Sequence, residues 1–133
     1  MSQSNLAVVE IKAFVPARDF ALSMKFYQAL GFTRASEFEG VAYFHCGDSS
    51  FLLQAFFVRE HVENFQMHLL VENVDDWYTK AAEVARRFDV RIDEPGDRPW
   101  GMRDFVLFDP TGVLWRIAQN IPGRPPVVVT TPA

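Results

Sequence analysis

Cysteine is nearly absent from the chain. Its 133 residues include one, Cys46, so neither an internal disulfide framework nor a cysteine-built zinc site can form. That usage fits a reducing cytoplasm, the expected location. Long apolar runs are missing too. No stretch approaches the roughly 20 residues that a bilayer-spanning helix needs, and no membrane partner is expected. Met1-Ser2-Gln3-Ser4-Asn5 carries neither a basic region nor an apolar core, so no secretory leader is expected. Positive charge is short as well: 13 Lys and Arg stand against 17 Asp and Glu, for a net charge of −4. A nucleic-acid binder carries a basic stripe, whereas here the basic residues are scattered, so no nucleic-acid partner is expected. The balance of 49% hydrophobic and 23% charged residues is that of a folded protein and excludes a disordered chain. The length suits one domain or two small fused modules.

What the chain has in quantity is aromatic rings: 13 Phe, 3 Tyr and 3 Trp. Rings in this number serve either a Phe-rich core or a small-molecule pocket walled by aromatics.

Periodicity divides the chain into a repeat. Residues 7–15 read as a strand closed by Pro16. Asp19 suits a helix N-cap, Phe20, Met24, Tyr27 and Leu30 recur at helical spacing, and Gly31 suits the position after the helix. Three short strands follow at residues 32–38, 41–46 and 51–58, and a polar connector covers 58–64. The pattern then restarts. Residues 65–71 form a strand. Asn73 caps a helix over 74–88 that carries Trp77, Ala81, Val84 and Phe88 on one face. Strands follow at 90–93, 103–108 and 113–119. Asp109-Pro110-Thr111-Gly112 is a turn. The expected division is a first βαβββ module at 1–60, a second at 61–120, and a Pro-rich tail at 121–133. One helix between the first two strands of each module argues for an α+β fold.

Two segments carry a family resemblance. Val15-Pro16-Ala17-Arg18-Asp19 with Phe26-Tyr27-Gln28-Ala29-Leu30-Gly31-Phe32 resembles the strand, Asp and helix signature of the vicinal oxygen chelate superfamily. Asp109-Pro110-Thr111-Gly112, after Asp104 to Phe108, resembles its hairpin before the last strand. The group includes glyoxalases, extradiol dioxygenases, and fosfomycin- and bleomycin-resistance proteins, and the resemblance covers residues 6 to 119. It implies two βαβββ modules whose sheets close into a cup around a ligand, commonly completed by a homodimer.

Enzymes of this family hold a divalent metal with one residue from the first and one from the last strand of each module, and His and Glu are usual. The matching positions here hold Lys12, Gln54, Gln66 and Arg116. A protonated Lys and a charged Arg offer no lone pair and repel a cation. The expectation is therefore no metal, no cofactor and no catalytic residue. Alternation along the strands puts Phe51, Leu53, Ala42 and Phe44 under the helices. The same rule turns a mixed face toward the cup: Lys12, Phe14, Tyr43, His45, Gln54, Phe56, Gln66, His68 and Arg116, with Trp100 on the loop above. Lys12 and Arg116 either grip an anionic group on the ligand or pair with Glu10 and Asp104. Trp100 either covers the cup, with Gly101 as hinge, or folds onto the sheet edge. His45 and His68 are polar residues satisfied by neighbours, a proton shuttle, or, with Glu10, an unusual metal set. The reading that follows is a metal-free protein that sequesters an aromatic or heteroaromatic molecule, similar to the bleomycin-resistance branch. The alternative is a metal-dependent lyase, isomerase or dioxygenase with a shifted ligand set.

Overall fold

The repeat folds as two four-stranded sheets in a computed structural model that describes residues 4–123. In chain order the elements are β1 (Phe14–Ala17), α1 (Phe20–Leu30), β2 (Thr33–Phe38), β3 (Val41–Cys46), β4 (Ser49–Ala55), α2 (Arg59–Glu63), β5 (Gln66–Leu70), α3 (Val74–Phe88), β6 (Gly96–Asp97), β7 (Met102–Phe108) and β8 (Leu114–Asn120). Each sheet has the same order: β1-β4-β3-β2 and β5-β8-β7-β6. In both, the first strand lies parallel to the last, and the other pairs are antiparallel. The expected α+β fold of two βαβββ units is what forms.

Local chemistry sets the helix ends. The Asp19 side chain accepts from Leu22 N at 3.1 Å and starts α1. Gly31 ends it at φ 117°, a left-handed conformation that glycine adopts without steric cost. Asn73 accepts from Asp76 N at 3.0 Å and starts α3. Asp75 and Asp76 in its first turn and Arg86 and Arg87 in its last complement the helix dipole.

Three sequence expectations are corrected. The first strand begins at Phe14, not at residue 7, and residues 4–13 run outside the sheet. Ala13 O accepts from Leu52 N at 3.0 Å, and the ladder starts there. Pro16 sits inside β1, tolerated because an edge strand does not need every N–H. The connector at 58–64 contains the short helix α2, which joins the two sheets. The expected strand at 90–93 makes one bridge, Ile92 to Leu107, and pairing with β7 resumes at β6. Pro95, which has no N–H to give, interrupts what is otherwise one edge strand. The tail expected at 121–133 lies outside the described residues from 124 onward.

Both sheets bury one face in a shared core. Tyr27 of α1 packs on Phe51 of the first sheet at 4.9 Å and on Trp115 of the second at 5.5 Å between ring centroids. Phe51 and Trp115 meet at 5.4 Å, and Phe26 of α1 meets Phe88 of α3 at 5.5 Å. Three of these four pairs meet edge to face, and the Tyr27–Trp115 pair is tilted; such ring contacts add to plain burial. A buried polar chain runs through the rings. Tyr27 OH donates to Asp109 Oδ2 at 2.5 Å and accepts from Trp115 Nε1 at 2.8 Å. Asp109 Oδ1 accepts from the N–H groups of Thr111, Gly112 and Val113, each at 2.9 Å. Burial raises the Asp109 carboxyl, against the lowering effect of these donors. Burial, then the nearby Asp109 charge, pushes the Tyr27 phenol well above its ordinary value.

Candidate functional site

Each sheet keeps its other face open, away from the shared core. Successive strand residues point to opposite faces. Ala42, Phe44, Phe51 and Leu53 are buried, so Val41, Tyr43, His45, Leu52 and Gln54 take the open face of the first sheet. Phe14 joins them beside Leu52. In the second sheet Phe105, Leu107, Trp115 and Ile117 are buried. That leaves Asp104, Val106, Phe108, Leu114 and Arg116 on the other face, Asp104 itself buried there, with Gln66 beside Leu114 and His68 beside Arg116. Alternation therefore holds for the residues it placed under the helices, Ala42, Phe44, Phe51 and Leu53.

On the first sheet, Phe14, Phe38, Val41, Tyr43, Leu52 and Lys12 line a groove of about 530 Å³. Phe14 and Phe38 are exposed, an unusual state for such rings in a folded chain. Lys12 does not belong to β1, as expected from sequence, but to the segment before it. Its Nζ lies 2.6 Å from Glu10 Oε1 and 5.0 Å from the Tyr43 ring centroid. Glu10 also accepts from Ser50 Oγ and, at 2.9 Å, from Tyr43 OH. The hydrogen bonds from Lys12 and Ser50 hold the Glu10 carboxyl down to about 2. The His45 ring stands 6.2 Å from that of Tyr43. Gln54 lies further along, opposite Val41 and Pro16. Phe56 is past the end of β4 and half-exposed.

On the second sheet, Arg116 Nη1 donates to Asp104 Oδ1 at 3.2 Å, and Arg98 Nε donates to the same oxygen at 2.8 Å. The Arg116 guanidinium lies 6.0 Å from the Trp100 ring centroid, so the loop holds Trp100 against this face. Gly101, the expected hinge, is buried at φ 83° and its N–H donates to Arg98 O at 3.2 Å. Gln66 and His68 lie on the edge strand β5. His68 lines a separate cleft of about 490 Å³ together with Glu10, Ile11 and Ser50.

The structure thus gathers Lys12, Phe14 and Tyr43 in one groove and Trp100 with Arg116 in another place. Of the two roles open to the cations, the structure supplies the ion pairs: Lys12 with Glu10, Arg116 with Asp104. The four positions expected from the resemblance to match the metal ligands of relatives do not fit a divalent cation. Their two cationic groups are already engaged with carboxylates, and two neutral amides complete the set. The other set, Glu10 with His45 and His68, begins from a carboxylate that Lys12, Tyr43 and Ser50 already occupy. Among the described residues no group of three or more His, Cys, Asp or Glu side chains lies close enough to share an ion. Sequence reasoning missed Arg98 and Phe38. Phe38 had a signal, an apolar residue just before the Glu39-Gly40 turn in a polar strand. Arg98 had none, because only the fold brings that loop over Asp104.

The model of one family, described as the glyoxalase/bleomycin resistance protein/dioxygenase superfamily, matches residues 8–117. The chain belongs to that superfamily. Among solved structures it is similar to a bleomycin-binding protein complexed with bleomycin, at 25% identity and TM-score 0.74, over 85% of this chain and 99% of the other. A bleomycin resistance determinant encoded on transposon Tn5 matches at 24% identity and TM-score 0.72, over 85% and 98% of the two chains. An antibiotic-binding protein from Streptomyces sp. CB03234 matches at 23% and 0.68, over 87% and 99%. No curated protein matches the sequence. Among the described residues no helix is long and apolar enough to cross a membrane.

Proposed function

We propose that this superfamily member is a binding protein that sequesters a small aromatic or heteroaromatic molecule without metal chemistry. The observation that carries the reading is an aromatic groove walled by Phe14, Phe38 and Tyr43, beside Lys12 and Arg116 side chains tied to carboxylates at the positions expected to match the family's metal ligands. Ring stacking and apolar burial supply the affinity. Bleomycin binding by one structural neighbour supports the same class of activity. Phe56, Gln54, His45, Gln66, His68 and Trp100 complete the proposed lining.

The working unit is a homodimer in the cytoplasm. In one chain the proposed lining is split between two open faces, and a second copy supplies the missing wall. The segment before β1 supports this. Val8, Val9 and Ile11 are 84%, 99% and 91% exposed, the state of apolar side chains that await a partner surface.

Thermal shift and tryptophan fluorescence against bleomycin and a panel of planar aromatic compounds test the reading. A ligand that binds only the folded chain raises its melting point. Saturable binding by at least one ring compound, weakened in Tyr43→Ala and Phe14→Ala, is expected. A panel without a binder, or turnover that depends on added metal, contradicts it.

A further inference from the structure

The Asp104 side chain is fully buried, yet one of its oxygens carries both of its ion pairs. Oδ1 accepts from Arg98 Nε at 2.8 Å and from Arg116 Nη1 at 3.2 Å, and Arg98 Nη2 donates to Asp104 O at 3.3 Å. Oδ2 has no donor among the described residues. Two permanent cations on one carboxylate leave a surplus positive charge. Each guanidinium has five N–H groups. Arg98 spends two of them on Asp104 and Arg116 one, and the two side chains remain 31% and 30% exposed.

The surroundings fit a ring that carries an acid. Trp100 stands over Arg116. Val106, directly opposite Arg116 in the ladder, lines a groove of about 340 Å³ with Ile92, Phe108 and Leu114. The two charged groups on that groove are engaged. Arg91 lies over the Phe108 ring at 4.5 Å, and the Asp93 carboxylate accepts from Val106 N at 2.5 Å.

We propose that Arg98 and Arg116, held side by side by Asp104, form a subsite for a carboxylate or similar planar anion on the bound aromatic molecule. The inference rests on the binding reading above and narrows its ligand to aromatic acids. A guanidinium fork matches a carboxylate through two parallel N–H donors. Asp104 touches no ligand; it is a positioning residue. The same surplus charge disfavours a cationic ring.

Three probes with one ring system isolate the charge: 2-naphthoate, methyl 2-naphthoate and 2-naphthylmethylammonium, titrated into the full chain by calorimetry. The acid is expected to bind about tenfold or more tighter than the ester, the gain typical of charge-assisted hydrogen bonds, with the ammonium weakest. Added salt should weaken the acid and leave the ester unchanged. In Arg98→Gln and Arg116→Gln the acid should fall to the ester's affinity while the ester keeps its own. Because either change leaves Asp104 short of a partner, the wild-type salt comparison stands on its own if a variant does not fold. Equal binding of acid and ester overturns the subsite and leaves the aromatic binder intact. Failure of all three probes overturns the subsite, and only a whole panel without a binder overturns the aromatic binder as well.

Discussion

Tyr27 and Asp109 stand 82 residues apart and meet in the core. Both lie in the segments that resemble the family signature, so their importance was legible in the sequence. That they bond to each other was not, because the contact depends on how two sheets share one core. Removing the hydroxyl in Tyr27→Phe strands Trp115 Nε1 and Asp109 Oδ2 without this partner. Urea unfolding should show a loss of about 2 kcal/mol, the scale of leaving buried polar groups unsatisfied. The phenol is raised in the folded chain, so the native state keeps a proton that the unfolded state releases. Its stabilising contribution is complete below the unfolded value near 10 and falls as pH rises from there toward the folded value. Wild-type stability should drop above pH 10, and Tyr27→Phe should flatten that limb. An alkaline limb of equal slope in both proteins contradicts the assignment. Lys12 and Arg116 show the opposite balance of legibility. Their unsuitability as metal ligands follows from residue type alone, whereas their ion pairs with Glu10 and Asp104 needed coordinates to be seen.

The two long helices were the most legible elements, and the five-residue α2 was missed. Asp19 and Asn73 cap where side-chain chemistry places them, and the apolar spacing between cap and stop gives the length. Asn73→Ala should cost about 1 kcal/mol in thermal or urea unfolding, with α3 starting later by hydrogen exchange. No change in either observable contradicts the bond from Asp76 N. Edge strands were the least legible. Strand propensity over residues 7–15 is real, yet the ladder begins at Phe14, since alternation describes a residue's faces and says nothing about a neighbouring strand. The segment at 90–93 has the composition of a strand, and Pro95 breaks the run before β6. Within the paired strands alternation did work. It put Gln54, Tyr43 and Arg116 on the open faces, because a one-residue slip would have exposed Phe51, Phe44 and Trp115.

At the scale of the molecule, two copies of one motif share a core and leave two open faces. The repeat follows from periodicity and turn residues, whereas the order of strands within each sheet needed coordinates. The position of one sheet relative to the other rests on the ring contacts among Tyr27, Phe51 and Trp115, which no sequence pattern encodes. The exposed segment before β1 makes association testable. Sedimentation equilibrium should give a dimer, and Val9→Glu with Ile11→Glu should shift it toward monomer with the fold intact by circular dichroism. A monomeric wild type would remove the second wall from the account. The proposed function requires that an aromatic ligand be held without an ion. The direct measurement is one titration of a binding aromatic compound, performed on chelator-treated protein and again with added nickel, zinc, manganese or iron. Identical affinity in all five titrations is the expected result. Affinity that disappears with chelator and returns with one metal at one ion per chain would contradict it.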